Sequence, residues 1–154
     1  PWPVDKVTGY LDTNYRGKAE GLLKALERDG CNFVFLHVES PDESGHEGNI
    51  EHKIKAIEDF DREVVGPVAE GMERYEDYTI LLMPDHPTPI ALRTHSSDPV
   101  PFCVYSSKNF NVEGYKKDGV SGFSEEDAGK TGLFVPEAHR LLGYIVKRGI
   151  DRKG

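Results

Sequence analysis

The order of apolar segments predicts an α/β layer, a largely parallel sheet with helices on both faces. Three observations lead there. Short runs rich in β-branched and aromatic residues, at 32–39, 78–83 and 100–107, read as buried strands. The stretches around them carry apolar residues at helical spacing. Apolar strands alternating with amphipathic helices are most simply buried as helices packed on a sheet. With 154 residues the chain can hold one ordinary domain with a core.

Taken in order, "GKAEGLLKALERDG" (17–30) places Ala19, Leu22, Ala25 and Leu26 on one helix face, with Gly30 as a C-terminal cap. "NFVFLHVE" (32–39) is the first strand, and "SPDESGHEG" (40–48) the loop after it. From Asn49 a helix returns, with Ile50, Ile54, Ile57, Phe60, Val64 and Val68 as its apolar stripe. Gly66-Pro67 is expected to kink or break it. "YTILLM" (78–83) is a second buried strand and "VPFCVYSS" (100–107) a third. A Gly-rich polar stretch fills 108–123, and Ser124 with Asp127 caps a short turn. "PEAHRLLGYIVKRG" (136–149) is a last helix, with Pro136 in its first turn.

Composition excludes several classes. A net charge of −8 with no basic stripe argues against nucleic acid. No apolar run is long enough to cross a bilayer, and the N-terminus has no signal-peptide pattern. Cys31 and Cys103 read as small buried residues rather than a disulfide, so a reducing cytoplasm is expected. The chain begins "PWPVDKV", without an initiator Met, which fits an engineered segment, a processed product or part of something longer.

Chemistry concentrates after two of the expected strands. Asp42 and, four residues on, His46 follow the first; Asp85-His86 and then His95 follow the second. Open α/β sheets bind ligands outside the carboxyl ends of their strands, so these loops would meet there. Mixed imidazole and carboxylate ligands suit Zn²⁺, Mn²⁺ or Fe²⁺ rather than Ca²⁺. Five such groups are too many for one open catalytic ion and suit two ions, an arrangement that serves phosphoryl transfer. Of the other candidates, His52 and His139 are read as surface residues, His37 as a core residue or a support to a ligand, Asp98 as a turn residue, and Glu43 and Glu47 as solvated.

At these residues the chain resembles the cofactor-independent phosphoglycerate mutases of the alkaline phosphatase superfamily, in the archaeal-type branch that also occurs in bacteria. "FLHVESPDESGHEGN" resembles that branch's first metal loop, "MPDHPTP" its Asp-His loop, and "RTHSSDPVPF" its last metal histidine with the strand that follows. Weaker similarity runs from "VTGYLDTNYRGKAEGLLKAL" to "KTGLFVPEAHRLL". The resemblance implies an alkaline phosphatase-like core, of which residues 1–154 are the C-terminal portion. It implies two divalent metal ions, Mn²⁺ or Zn²⁺. Asp42, His46 and His95 would hold one, Asp85 and His86 the other, and Arg93 would contact phosphate.

The family completes the second site with an N-terminal aspartate and a nucleophilic serine, and neither has a counterpart here. No catalytic residue is therefore assigned in this chain, Lys18 included; Ser96 and Ser97 are read as bracing the loop after His95. The implied reaction interconverts 2- and 3-phosphoglycerate through a phosphorylated serine, with the missing N-terminal portion as a partner and a small phosphorylated substrate. Another phosphotransferase or phosphatase of the superfamily, such as a homoserine kinase-like enzyme, is the alternative, as is a metal-binding fragment without activity of its own. Oligomeric state has no signature in the sequence.

Overall fold

In the computed structural model, which describes residues 4–108, 110–112, 120–147 and 149–150, helices form where the apolar spacing is helical, and the sheet is smaller than expected. The chain divides into two units, Pro1–Tyr75 with His86–Ser97 and Glu76–Asp85 with Asp98–Gly154.

The first unit is helical. Asn14 starts α1 (Tyr15–Leu26), its side-chain oxygen accepting from the Gly17 N–H at 2.8 Å. The helix stops short of Gly30 because Glu27, Arg28 and Asp29 add no apolar face to bury. Gly30 instead serves the turn beyond, at φ +79°. Residues 32–39 are extended, with Val34, Leu36 and Val38 half-buried and the alternate residues turned out. They join no ladder among the described residues, whose strands pair only with one another. Phe33 and Phe35 are left 59% and 76% exposed.

Residues 40–48, expected as a loop, form helix α2 (Ser40–Glu47). The helix-start chemistry is in the sequence: Pro41 in the first turn, where its missing N–H costs nothing, and Asp42 and Glu43 beside the positive end of the dipole. Gly48 closes it at φ 70°. Asn49 then caps α3 (Ile50–Phe60) by accepting from the His52 N–H. The break expected at Gly66-Pro67 is a wide turn. A π-helical turn, Asp61–Val65, precedes Pro67 and closes with the Gly66 N–H on Asp61 O, after which α4 (Gly66–Met72) continues. The extra residue rotates the apolar stripe. Val64 and Val68 enter the core, while Ile50, Ile54 and Ile57 stay more than half exposed.

The core of this unit is Tyr15, Ala19, Val64 and Val68, with Leu22, Leu36, Val38, Phe60 and Met72 against it. It also holds polar groups with partners. The Tyr15 hydroxyl and the fully buried Ser40 Oγ are 2.5 Å apart, and Ser44 Oγ donates to Ser40 O at 2.7 Å. This chain of bonds ties α2 to α1. Burial raises the Tyr15 pKa above the usual phenol value.

In the second unit, β1 (Thr79–Leu82) and β2 (Cys103–Ser106) pair antiparallel, from Thr79 opposite Ser106 to Leu82 opposite Cys103. β3 (Asn111–Val112) and β4 (Gly149–Ile150) pair in parallel. Between them lie α5 (Glu125–Lys130), a 3₁₀ turn (Ala138–Arg140) and α6 (Leu141–Lys147). Ser124 caps α5 by accepting from the Asp127 N–H at 3.1 Å, as the sequence indicates. Pro136 lies outside the last helix, not in its first turn. Part of the polar stretch 108–123 and the end of the 136–149 segment lie outside the described residues. A largely parallel sheet with helices on both faces is not built by the described residues, which form two two-stranded ladders. Cys31 is half-buried and Cys103 exposed, against the burial expected for both, and neither is in a disulfide. Among the described residues no helix is long and apolar enough to cross a membrane.

Asp59 offers a test of the helical unit. Its buried carboxylate accepts from Lys55 Nζ at 2.8 Å and Arg62 Nη2 at 2.5 Å. The Lys55 hydrogen bond, with that from Arg62, outweighs burial and holds its pKa below the ordinary carboxylate value. Both cations are largely exposed, so solvent screens the pairs. Asp59→Asn is expected to cost about 1–2 kcal/mol at neutral pH. A depressed folded-state pKa gives stability that is complete above the unfolded value and is lost as pH falls through the folded one. The difference between wild type and variant should therefore shrink below about pH 4 in denaturant unfolding followed by circular dichroism.

Candidate metal centre

Helix α2 supplies the first two groups. Asp42 and His46 are one turn apart and share a face, which puts His46 Nε2 3.4 Å from Asp42 Oδ2. The segment His86–Ser97 supplies the others. It returns on itself through the Ser96 N–H on Pro87 O (3.1 Å) and a turn at Pro89, whose carbonyl accepts from Leu92 and Arg93. This closure brings His95 Nε2 to 3.4 Å from Asp42 Oδ1 and 3.1 Å from His46 Nε2. His86 stacks on His95 with ring centroids 3.6 Å apart. One ligand atom each from Asp42, His86 and His95 lies within 4.8 Å of the others.

One carboxylate and three imidazoles thus converge in the first unit, a donor set that suits a divalent metal ion. The structure brings together Asp42, His46, His86 and His95. Asp85 is exposed and belongs to the second unit. His52 stands outside the cluster, its Nδ1 3.1 Å from Glu47 Oε2. His37 is exposed, its Nε2 3.9 Å from Glu39. Arg93 takes φ +53°, a left-handed value unusual for a side-chain-bearing residue. Its carbonyl accepts from His46 Nδ1 at 3.0 Å, and its exposed side chain runs beside Gly48.

Sequence reasoning misses three residues that hold this arrangement. Thr88, 3% exposed, donates its hydroxyl to Asp42 Oδ1 and lies 3.3 Å from His86 Nδ1. Lys53 of α3 donates to Thr88 O at 2.6 Å. Gly45 lets the loop reach α2, since a Cβ there would lie 2.6 Å from Thr88 O and 2.9 Å from Lys53 Nζ. A signal for Thr88 exists: Pro87 and Pro89 flank it, and each proline confines the residue before it to extended backbone.

The electrostatics follow the geometry. Burial alone would raise the Asp42 pKa. The Thr88 hydrogen bond and the neighbouring imidazoles of His46, His95 and His86 outweigh it, so Asp42 stays below the usual carboxylate value. Lys18, whose ammonium donates to His37 O at 2.8 Å, is pushed the opposite way from a salt-bridged lysine, since burial lowers its pKa more than Glu39 raises it.

Comparison with known proteins places the chain in a family. The metalloenzyme superfamily matches residues 4–133. The chain is similar to the probable 2,3-bisphosphoglycerate-independent phosphoglycerate mutase of Geobacter sulfurreducens, 50% identical over 94% of this chain. It is also similar to the 2,3-bisphosphoglycerate-independent phosphoglycerate mutase of Methanosarcina acetivorans, 47% identical over 94%. In each case it spans 35% of the relative's length. Among solved structures, the PH0037 protein from Pyrococcus horikoshii matches at TM-score 0.74 and 26% identity, covering 98% of this chain and 44% of that one.

Removing one imidazole from the cluster should separate it from the surface histidines. His46→Ala is expected to weaken Mn²⁺ or Zn²⁺ binding by about tenfold or more, and His52→Ala to leave it unchanged. Calorimetric titration after chelation reads both, and equal affinities in the two variants would contradict the arrangement.

Proposed function

Because the chain belongs to the metalloenzyme superfamily, whose members use divalent metal, we propose that it forms the metal-binding C-terminal part of a 2,3-bisphosphoglycerate-independent phosphoglycerate mutase. The observation that carries this is the cluster of Asp42, His46, His86 and His95 in a chain about half identical to proteins of that name. In this reading Asp42, His46 and His95 hold one divalent ion, and Asp85 with His86 contributes to a second. Zn²⁺ or Mn²⁺ bound there would offset charge on phosphoryl oxygens and favour a deprotonated hydroxyl.

The chain's own residues orient and position. Asp42 stays ionised under its hydrogen bond from Thr88. Lys53 fixes the loop that carries His86 and His95. Arg93, exposed on the same loop, is assigned to a substrate phosphoryl group. The nucleophile is assigned to a serine outside these 154 residues. The bond from phosphorus to one glycerate oxygen breaks as one to the serine oxygen forms. The serine then returns the group to the other hydroxyl, so no diffusible bisphosphate is consumed. Alkaline phosphatase-like packing of a parallel sheet belongs to this reading too, completed by chain beyond the 154 residues. Two cysteines outside any disulfide fit a reducing cytoplasm.

A coupled assay of 2- and 3-phosphoglycerate interconversion with Mn²⁺ tests this. A longer polypeptide containing these residues should turn over and lose about two orders of magnitude or more with Asp42→Ala, and the 154-residue chain alone should be inactive. Robust turnover by the chain alone would show that the nucleophile lies within it.

A further inference from the structure

We infer that Thr88 is the positioning residue of the cluster, a single hydroxyl that decides which atom Asp42 and which atom His86 offers to a metal. The inference rests on the metal reading above and adds a residue to it.

The argument is a count of donors and acceptors. A threonine hydroxyl has one proton to give and lone pairs that accept. Thr88 gives its proton to Asp42 Oδ1, since an ionised carboxylate can only accept. Toward His86 Nδ1, at 3.3 Å, the same oxygen then has only a lone pair left. The proton between those two atoms must belong to the imidazole. Neutral His86 is therefore the Nδ1–H tautomer, with Nε2 bare. The Asp42 oxygen engaged by Thr88 is likewise occupied, which leaves Oδ2, on the His46 side, as the freer atom.

An independent hydrogen bond does the same for His46. Its Nδ1 faces the Arg93 carbonyl, which can only accept, so neutral His46 is also Nδ1–H with Nε2 bare. Two oxygens of one loop, Thr88 Oγ1 and Arg93 O, thereby set the tautomers of two histidines on different elements. Thr88 is held for the task from several sides. It is buried, its carbonyl is fixed by Lys53, Pro89 restricts its backbone, and Gly45 leaves room for it.

Thr88→Val keeps the shape and the branched methyl but removes the hydroxyl; Thr88→Ser keeps the hydroxyl and removes the methyl. Long-range ¹H–¹⁵N spectra of the metal-free 154-residue chain, recorded over a pH series, report each tautomer of the neutral imidazoles directly. Wild type and Thr88→Ser should show Nδ1–H at both His46 and His86. Thr88→Val should lose the preference at His86 alone, with His46 as the internal control that the fold survives. Mn²⁺ or Zn²⁺ affinity should fall about 10- to 100-fold in Thr88→Val and recover in Thr88→Ser. An Nε2–H His86 in wild type, or a Thr88→Val chain with unchanged tautomers and unchanged affinity, would overturn the inference while leaving the metal reading intact. A wild-type chain that binds neither ion would overturn the metal reading itself.

Discussion

The candidate centre depends on the absence of a side chain at Gly45. The segment His86–Ser97 carries two of the four clustered groups, and it meets α2 at Gly45, between Asp42 and the end of the helix. Thr88 O and Lys53 Nζ occupy the space a Cβ would need. Any larger residue would lift the loop, and with it the Thr88 hydroxyl from Asp42 and the His95 ring from His46. The approach is tight because the contact is polar. The Lys53 ammonium donates to the Thr88 carbonyl and the Thr88 hydroxyl donates to the Asp42 carboxylate, so none is buried without a partner.

α2 needs a fixed position for such an approach to matter, and buried polar groups supply it. Ser40 is fully buried with its hydroxyl on Tyr15 of α1, and Ser44 bonds back to the Ser40 carbonyl. A hydrophobic contact would tolerate a slide of the helix, whereas a hydrogen bond between two buried hydroxyls does not. The residues that set the height of α2 against α1 thus also set where Asp42 and His46 stand. The left-handed Arg93 continues the same logic in the loop: a strained backbone turns one carbonyl toward His46.

Much of this was legible in the sequence, unevenly. The residue types around 42–46 and 85–95 point to metal chemistry without any fold, because imidazoles and carboxylates gathered in two short stretches suit a divalent ion. The helices at 15–26 and 50–72 follow from periodicity. What failed to read was of three kinds. Residues 40–48 looked like a loop because Ser, Pro, Asp and Gly are turn residues, yet the same residues in that order start and stop a helix. Residues 32–39 and the sheet depend on partners far away in sequence, and local pattern carries no information about whether those partners are on hand. Thr88 went unread for a third reason. Its role is to bond two other side chains, which no spacing rule encodes.

The extended segment at 32–39 has a consequence for handling the protein. It shows an outward row of Phe33 and Phe35 beside backbone that joins no ladder among the described residues. A β-rich, apolar edge of this kind is a template for self-association, and here no proline or lysine interrupts it between Asn32 and Leu36. A net charge of −8 opposes self-association, and these five consecutive residues are the stretch that favours it. A lysine at Phe35 would act as a gatekeeper, since that side chain points away from the core that Leu36 and Val38 enter.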